Sequence, residues 1–123
     1  MILGHIDENW QALVPLVVLH KAKTETIEFL VDTSFTGFLA ITPSLVQTLG
    51  LSVIDIQRGM TADGRVSFFD VVDVCVIWHD RPKIIRAQVL DEPFIGTRLL
   101  SGHDLQVRWE VGGEFRLSLI PPG

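Results

Sequence analysis

Short apolar, β-branched runs, separated by turn-forming residues about every ten positions, constrain the fold more than any other feature of this sequence. The longest run, residues 71–79, alternates, so the even-numbered residues from Val72 to Trp78 face one side of a predicted strand and the odd-numbered residues face the other. A chain of 123 residues with few helix signals buries such strands most simply as a small closed or nearly closed β-barrel. We therefore predict a single, mostly β domain over residues 1–123, with one or two short helices.

The same pattern sets the expected boundaries of the elements. Strands are predicted over residues 1–6, 12–20, 26–31, 53–57, 71–79, 83–90, 105–111 and 115–120, with breaks at Arg58-Gly59, Asp80-Arg81-Pro82 and Gly112-Gly113. Pro15 has no N–H group to donate, so it is expected at a sheet edge or a bulge. One helix is predicted between Thr42, a good N-cap, and Gly50, with Pro43 in the first helical position. Residues 97–102 are expected to form one helical turn.

Composition argues against several classes of function. The net charge is −5 and no Lys/Arg cluster occurs along the sequence, which disfavours binding to nucleic acid. Cys75 is the only cysteine and residues 1–8 lack a basic signal-peptide region, so a cytoplasmic protein without disulfides is expected. No apolar run approaches the roughly 20 residues that span a bilayer. The mean hydropathy of +0.36 favours either a rich core or an apolar surface that a partner covers.

Asp32-Thr33-Ser34, at the end of the predicted strand 26–31, is the most informative polar stretch. A carboxylate at the end of a buried strand is costly unless it is hydrogen-bonded or used. Two interpretations are open at this point. In one, Asp32 caps the turn at residues 35–38 and the hydroxyl groups satisfy nearby backbone groups. In the other, Asp32 is a catalytic carboxylate.

Together with later segments, this stretch resembles the retropepsin-like aspartic proteases, in particular their short bacterial and archaeal members. The matching segments are Phe29-Leu30-Val31-Asp32-Thr33-Ser34-Phe35-Thr36-Gly37-Phe38-Leu39, the helix Thr42 to Leu49 with Gly50-Leu51, Thr61-Ala62-Asp63-Gly64-Arg65, Phe94-Ile95-Gly96-Thr97-Arg98-Leu99-Leu100 and Gly102-His103-Asp104-Leu105. They occur in the order that the family has and cover most of the chain. The resemblance implies the small closed β-barrel of the retropepsin-like (acid protease) fold.

The resemblance also implies an aspartic endopeptidase. Such an enzyme needs two carboxylates that share a proton and a water molecule: one takes a proton from the water, and the other hydrogen-bonds or protonates the scissile carbonyl. The chain contains one such Asp motif, so a homodimer with Asp32 of each subunit at the two-fold axis is implied. Residues 1–6 and 115–120 are candidates for strands that interleave across this dimer. No cofactor is expected, and the expected partners are the second subunit and a peptide or protein substrate.

By the same resemblance, four residues support the catalytic carboxylate: Thr33, Ser34, Gly37 and Gly96. Thr33 would hydrogen-bond across the dimer near the dyad. Gly96 would let the chain pass close behind the Asp32 loop, with Phe94 and Ile95 packing beneath it.

The resemblance assigns the flap, which would close over an extended peptide bound as an added strand, to a hairpin tip. The residues of this tip are Thr61, Ala62, Asp63, Gly64 and Arg65. The Asp-Gly pair is in itself a strong hairpin signal, because a tight primed turn needs positive φ angles at its centre.

Ser34 is the one departure from the family at the centre of the site, where glycine is usual. Its Cβ and hydroxyl would crowd the substrate backbone, or its hydroxyl would hydrogen-bond the Asp32 carboxylate and leave the site competent. The alternative function is therefore a catalytically silent dimer of the same fold that binds an extended peptide or a protein partner.

The remaining reactive side chains predict no competing site. The four histidines, His5, His20, His79 and His103, lack the spacing of metal ligands, so no metal site is expected. Cys75 has no basic neighbour and is predicted to be a buried structural thiol. No serine lies in a nucleophile elbow, and Gly112-Gly113 is not followed by the helix that a phosphate loop needs.

Overall fold

The computed structural model describes residues 1–60 and 63–122, in which ten strands and two short helices are formed. The strands are β1 (Ile2–Ile6), β2 (Ala12–His20), β3 (Lys23–Val31), β4 (Leu39–Ile41), β5 (Val53–Met60), β6 (Val66–Trp78), β7 (Arg81–Val89), β8 (Phe94–Ile95), β9 (His103–Val107) and β10 (Glu114–Leu119). The helices are α1 (Pro43–Leu49) and α2 (Thr97–Leu100). The described part of the chain is mostly β, as predicted.

Six of the strands close into a barrel. Neighbours pair in the order β6–β7–β4–β8–β3–β2, and β2 pairs with β6 at Val18↔Val76 and Leu19↔Cys75 to complete the ring. β5 extends the ring from β6, while β1, β10 and β9 extend it from β2 in that order. Closure pairs the six ring strands with one another, while β5 and β9 remain the edge strands of the sheet. The prediction of a closed β-barrel with short helices is confirmed.

The barrel interior is apolar because each strand alternates between an inward and an outward face. The even-numbered residues from Val72 to Trp78 share one face of β6, as predicted. They are buried and join Phe29 of β3, Ile95 of β8 and Leu49 of α1 in one hydrophobic cluster. No buried polar or charged residue occurs among the residues that the structure describes. The described carboxylates therefore all lie at or near the surface.

Helix α1 begins and ends where the sequence predicts. The Thr42 hydroxyl accepts a hydrogen bond from the Leu45 N–H at 3.3 Å, which satisfies one of the free N–H groups at the helix start. Gly50 ends the helix in the left-handed conformation, with φ of 69°. Helix α2, with four residues, lies within the predicted helical turn at 97–102.

The break predicted at Arg58-Gly59 lies inside a strand. β5 continues to Met60, and Gly59 pairs with Ser67 of β6. A Cβ at Gly59 would lie 2.5 Å from Cε2 of Phe69, so the glycine makes room for an aromatic ring on the neighbouring strand. Packing across the hairpin, and not a turn, requires this glycine.

The turn between β6 and β7 lies earlier than predicted. It consists of His79 and Asp80, whose φ angles of 50° and 64° are both positive. His and Asp adopt this conformation more readily than most residues other than glycine. Arg81 and Pro82 therefore already belong to β7, and Pro82 pairs with Ile77.

The C-terminal hairpin is shorter than predicted. β9 ends at Val107 and not at residue 111, because the chain turns through residues 108–113, where the Gly113 N–H donates to the Glu110 carbonyl at 2.7 Å. β10 lies between β1 and β9. The two segments expected to interleave across a dimer, at the chain ends, thus pair with each other within one chain.

The predictions for two single residues of the barrel strands, Pro15 and Cys75, have different outcomes. On one side, β2 pairs with β3 along its length, including Pro15. On its other side, β2 pairs with β1 at residues 12–13 and with β6 at residues 18–19, so it has no partner there at Pro15. The predicted edge position is confirmed. Cys75 faces away from the interior but is half-buried. The prediction of a buried thiol is therefore wrong, because the outer face of β6 is only partly covered.

Candidate active site

Asp32 directly follows β3, and its backbone is fixed from two sides. Its N–H donates to the Ile95 carbonyl of β8 at 3.0 Å, and its own carbonyl accepts from the Phe35 N–H at 3.1 Å. β8 pairs in parallel with β3 up to Val31, the residue before Asp32. Strand pairing in the barrel therefore sets the position of this carboxylate.

The Asp32 side chain uses one of its two oxygens within the chain. Oδ1 accepts hydrogen bonds from the Ser34 N–H at 2.9 Å and from the Ser34 hydroxyl at 2.5 Å. Oδ2 accepts no hydrogen bond from the described residues. One oxygen thus orients the side chain, while the other has no part in holding it.

Ser34 adopts one of the two arrangements predicted for it, in which its hydroxyl bonds the carboxylate. The bond from its N–H to Oδ1 is also an Asx-type turn, so Asp32 caps the local backbone as the simpler interpretation predicts. Thr33 and Ser34 are both exposed. The Thr33 hydroxyl forms no hydrogen bond within the described part of the chain, which leaves it at the surface beside Asp32.

The segment from β8 into α2 runs directly behind the Asp32 loop, which comprises residues 32–38. The Gly96 N–H donates to the Phe38 carbonyl at 3.0 Å. A Cβ at Gly96 would overlap the carbonyl oxygen of Gly37, so any other residue forces one of the two backbones to move. The structure thus contains the close approach predicted for Gly96.

Aromatic packing fills the space between this segment and the loop. The Thr97 N–H donates to the Phe35 carbonyl at 2.9 Å, and the rings of Phe35 and Phe94 lie 6.1 Å apart with a 49° tilt. Gly37 lies under the Phe35 ring, since a Cβ there would be 2.6 Å from Cζ of Phe35. Ile95 is fully buried beneath the loop. The predicted packing of Phe94 and Ile95 is therefore present.

Residues 63–65 of the predicted flap form an exposed turn, whereas Thr61 and Ala62 lie outside the described residues. Oδ1 of Asp63 accepts from the Arg65 N–H at 3.2 Å, and Arg65 Nε lies 3.3 Å from Asp63 Oδ2. Gly64 has a φ angle of 83°, as a tight hairpin turn requires. Residues 63–65 therefore form a polar turn, and the contact of the predicted flap with a substrate stays a prediction.

A concavity of about 150 Å³ lies between the Asp32 loop and strand β5 of the same hairpin. Gly37 and Phe38 line it from the loop, Gln57 from β5, Gln88 from β7 and Arg98 from α2. The Gln88 Nε2 donates to the Gln57 Oε1 at 2.7 Å and ties the hairpin base to the barrel. Gln57, Gln88 and Arg98 were not predicted as site residues, because they come from separate elements and share no local pattern.

Two histidines that are far apart in the sequence lie in contact. The Nε2 atoms of His79, in the β6–β7 turn, and His103, at the start of β9, are 2.8 Å apart. No spacing rule links residues from such separate elements, so the sequence carries no signal for this pair. No group of three or more His, Cys, Asp or Glu side chains suited to a metal ion occurs in residues 1–60 and 63–122.

Comparison of the chain with protein-family models, with curated proteins and with solved structures finds no match. Within the ranges that the structure describes, no helix is long and apolar enough to cross a membrane. A function for the chain therefore rests on the residues of the Asp32 loop and on their geometry.

Proposed function

We propose that the chain is a homodimeric aspartic peptidase of retropepsin-like fold, in which the Asp32 carboxylates of two subunits form the catalytic dyad. The observation that carries this proposal is how Asp32 is held. Its backbone is bonded to Ile95, its Oδ1 is fixed by Ser34, and its Oδ2 accepts nothing from the described residues. A carboxylate held in this way keeps one oxygen in a set position, which acid–base catalysis requires.

In the proposed reaction, the dyad shares one proton and binds a water molecule. The ionised carboxylate takes a proton from this water, and the water oxygen attacks the scissile carbonyl carbon. The protonated carboxylate gives its proton to the carbonyl oxygen. The resulting gem-diol then collapses and the C–N bond breaks. One hydroxyl proton of the gem-diol passes to the dyad, and the dyad gives a proton to the leaving nitrogen. The dyad is left with one proton, as at the start.

A second subunit is part of the proposal because the Asp32-Thr33-Ser34 motif occurs once in the chain. Two-fold symmetry brings the same residue of two subunits to one axis. The exposed Thr33 hydroxyl would bond the same loop of the second subunit. Exposed apolar side chains at the chain ends, among them Met1 and Ile120, offer surface for a second subunit to cover.

An extended peptide is the proposed substrate. It would lie between the Asp32 loop and the β5–β6 hairpin and pair with the chain through its backbone as an added strand. The concavity of about 150 Å³ between Phe38 and Gln57 would receive one of its side chains. The closed ring of six strands, with a hairpin that extends from it, supports the retropepsin-like fold.

Asp32→Asn tests the proposal directly. Asparagine has the same shape and keeps an oxygen for the two Ser34 donors, but it neither accepts nor supplies the proton. We expect peptide hydrolysis to fall by about 10³-fold or more, with no change in the mass of the dimer or in its circular dichroism spectrum. Asp91→Asn, at an exposed site outside the loop, is the matched control and should retain full activity. Undiminished hydrolysis by Asp32→Asn would rule the proposal out.

The alternative function, a catalytically silent dimer that binds an extended peptide, has a separate test. Ser34 favours it only if the side chain crowds the substrate backbone. A transition-state mimic of aspartic proteases should bind the proposed enzyme at some pH between about 3 and 7, where carboxylates titrate. Binding of unreactive peptides without binding of the mimic would select the silent dimer.

A further inference from the structure

A second concavity, of about 490 Å³, lies between the β6–β7 turn, helix α2 and the end of β10. Three positively charged side chains line it, Arg81 and Lys83 from β7 and Arg98 from α2. Apolar side chains, among them Trp78 and Leu119, form much of the remaining wall. No described Asp or Glu residue lines it. We call this concavity, defined by Arg81, Lys83 and Arg98, the cationic pocket.

The three cations of the pocket also lack a carboxylate partner elsewhere in the described ranges. Other arginines have one: Arg86 lies 3.8 Å from Asp73, and Arg116 bonds Glu114. A concavity of similar size on the β9–β10 hairpin, about 500 Å³, contains that Arg116–Glu114 pair, so its charges partly cancel. The cationic pocket is thus a local positive site on a chain of net charge −5, and it favours an anion.

His79 and His103 build one wall of the cationic pocket. Their rings are nearly parallel, at 11°, with centroids 5.0 Å apart and Nε2 atoms 2.8 Å apart. The centroid distance is close to the Nε2–Nε2 distance plus the two ring radii, so the rings meet edge to edge through a hydrogen bond and are not stacked face to face. Trp78 packs edge-on against both rings, at centroid distances of 5.4 and 5.5 Å. This wall is therefore held by contacts within the chain.

Hydrogen bonds assign the protons of the histidine pair. His103 Nδ1 lies 3.0 Å from the Ser101 carbonyl oxygen, an acceptor, so Nδ1 carries the proton and Nε2 of neutral His103 accepts. His79 Nε2 is then the donor between the rings. Burial, followed by His103, the N-terminus and Lys83, lowers the pKa of His79, against an opposing effect of Asp80. The lowered pKa favours the neutral form of His79, and Arg81, Lys83 and Arg98 supply the permanent positive charge of the pocket.

We propose that the cationic pocket binds a small organic carboxylate with a planar, apolar body. The carboxylate would lie among Arg81, Lys83 and Arg98, and each arginine can bind it through two parallel N–H···O bonds. The apolar body would lie against Trp78 and Leu119. The volume is within the roughly 300–1,000 Å³ of ligand sites in proteins. Phe38 and Arg98 also line the concavity beside the Asp32 loop, so the two concavities adjoin, but this binding does not require Asp32 to be catalytic.

Calorimetric titration with 2-naphthoate, and with 2-naphthamide as a neutral control of the same shape, tests the proposal. We expect 2-naphthoate to bind at least about tenfold more tightly than 2-naphthamide. Arg81→Gln and Arg98→Gln should each weaken the binding of 2-naphthoate by about tenfold. Arg108→Gln, in an exposed loop outside the pocket, should leave that binding unchanged. Absence of 2-naphthoate binding, equal binding of the two compounds or an equal loss in Arg108→Gln overturns the proposal.

The pH dependence of 2-naphthoate binding gives a second test, which does not depend on the arginine variants. An anion in the pocket favours protonated His79, so 2-naphthoate, which stays ionised, should bind more tightly at about pH 6 than at about pH 8. His103, the N-terminus, Asp80 and Lys83 also act on the pKa of His79 through their charges. His79→Asn, which tolerates the positive φ of this turn, should therefore reduce the pH dependence. The same dependence in both proteins contradicts binding beside His79.

Discussion

Gly96 is the residue on which the geometry of the Asp32 loop depends most directly. Its N–H donates to the Phe38 carbonyl at 3.0 Å, and a Cβ added to it would overlap the Gly37 carbonyl oxygen. The neighbouring residue, Ile95, accepts the bond from the Asp32 N–H. A side chain at Gly96 would therefore push apart the two backbone segments that hold the catalytic carboxylate of the proposed enzyme.

Gly96→Ala is expected to lower the free energy of unfolding by at least about 2 kcal/mol, because the methyl group must displace backbone and not a flexible side chain. Denaturant titration at fixed protein concentration measures this. Gly50→Ala is the matched control, since a Cβ at Gly50 meets nothing within 4 Å, and only its left-handed conformation costs about 1 kcal/mol. If Gly96→Ala is as stable as Gly50→Ala, the close approach at Gly96 is not a constraint.

The free energy of unfolding, measured without added ligand, should fall as the pH is lowered through 6.5, the ordinary pKa of histidine. Burial lowers the pKa of His79 in the folded chain, so the unfolded chain binds this proton more readily and protonation favours unfolding. Denaturant titrations between about pH 5 and 8 measure the slope. His79→Asn should have a shallower slope, and an unchanged slope would contradict the role of His79.

Contacts between residues close in the chain were predictable, and contacts between distant ones were not. The bond from Ser34 to Asp32 needs only a three-residue turn, and it is one of the two arrangements that the sequence predicts for Ser34. His79 and His103 meet because the barrel brings the β6–β7 turn to the start of β9. Arg98 joins basic residues of β7 in the same way, although the sequence contains no Lys/Arg cluster.

At the scale of single elements, α1 shows how local signals and burial combine. It has seven residues, too few for a helix that is stable alone in water. The Thr42 hydroxyl caps its start, and Leu45 and Leu49 bury its inner face against the barrel. Caps and core contacts therefore share in its stability.

Thr42→Ala should lower the free energy of unfolding by about 1 kcal/mol, because it removes the acceptor for the Leu45 N–H. Thr48→Ala is the control in the same helix: its side chain is exposed, and alanine has the higher helix propensity. Thermal or denaturant unfolding followed by circular dichroism compares the two variants. Equal stability of both would show that the cap does not contribute.

Strand ends were harder to predict than the helix, because a strand ends where its partner ends. β6 begins at Val66, five residues before the predicted start at Val71, since it pairs with β5 along the whole hairpin. Gly59 marks packing against Phe69 and not a break. The start of β6 and the role of Gly59 both depend on how β5 and β6 pair, which the sequence of either strand alone does not give.

At the scale of the whole molecule, the closed barrel was predictable and its strand order was not. Alternating runs and few helix signals favour closure, but the pairing of β2 with β6 joins parts of the chain far apart in sequence. Exposed apolar residues at both chain ends fit the high mean hydropathy. The proposed homodimer places these surfaces, and two copies of Asp32, in one assembly.

Mixing subunits tests the shared dyad most directly. Wild-type chain and Asp32→Asn chain are refolded together at fixed total concentration, and peptide hydrolysis is measured against the wild-type fraction. If every site needs Asp32 from both subunits, activity follows the square of that fraction, and an equal mixture keeps about one quarter of the wild-type rate. A linear dependence, with about one half of the rate, would mean that each chain acts with its own Asp32 alone and would contradict the account.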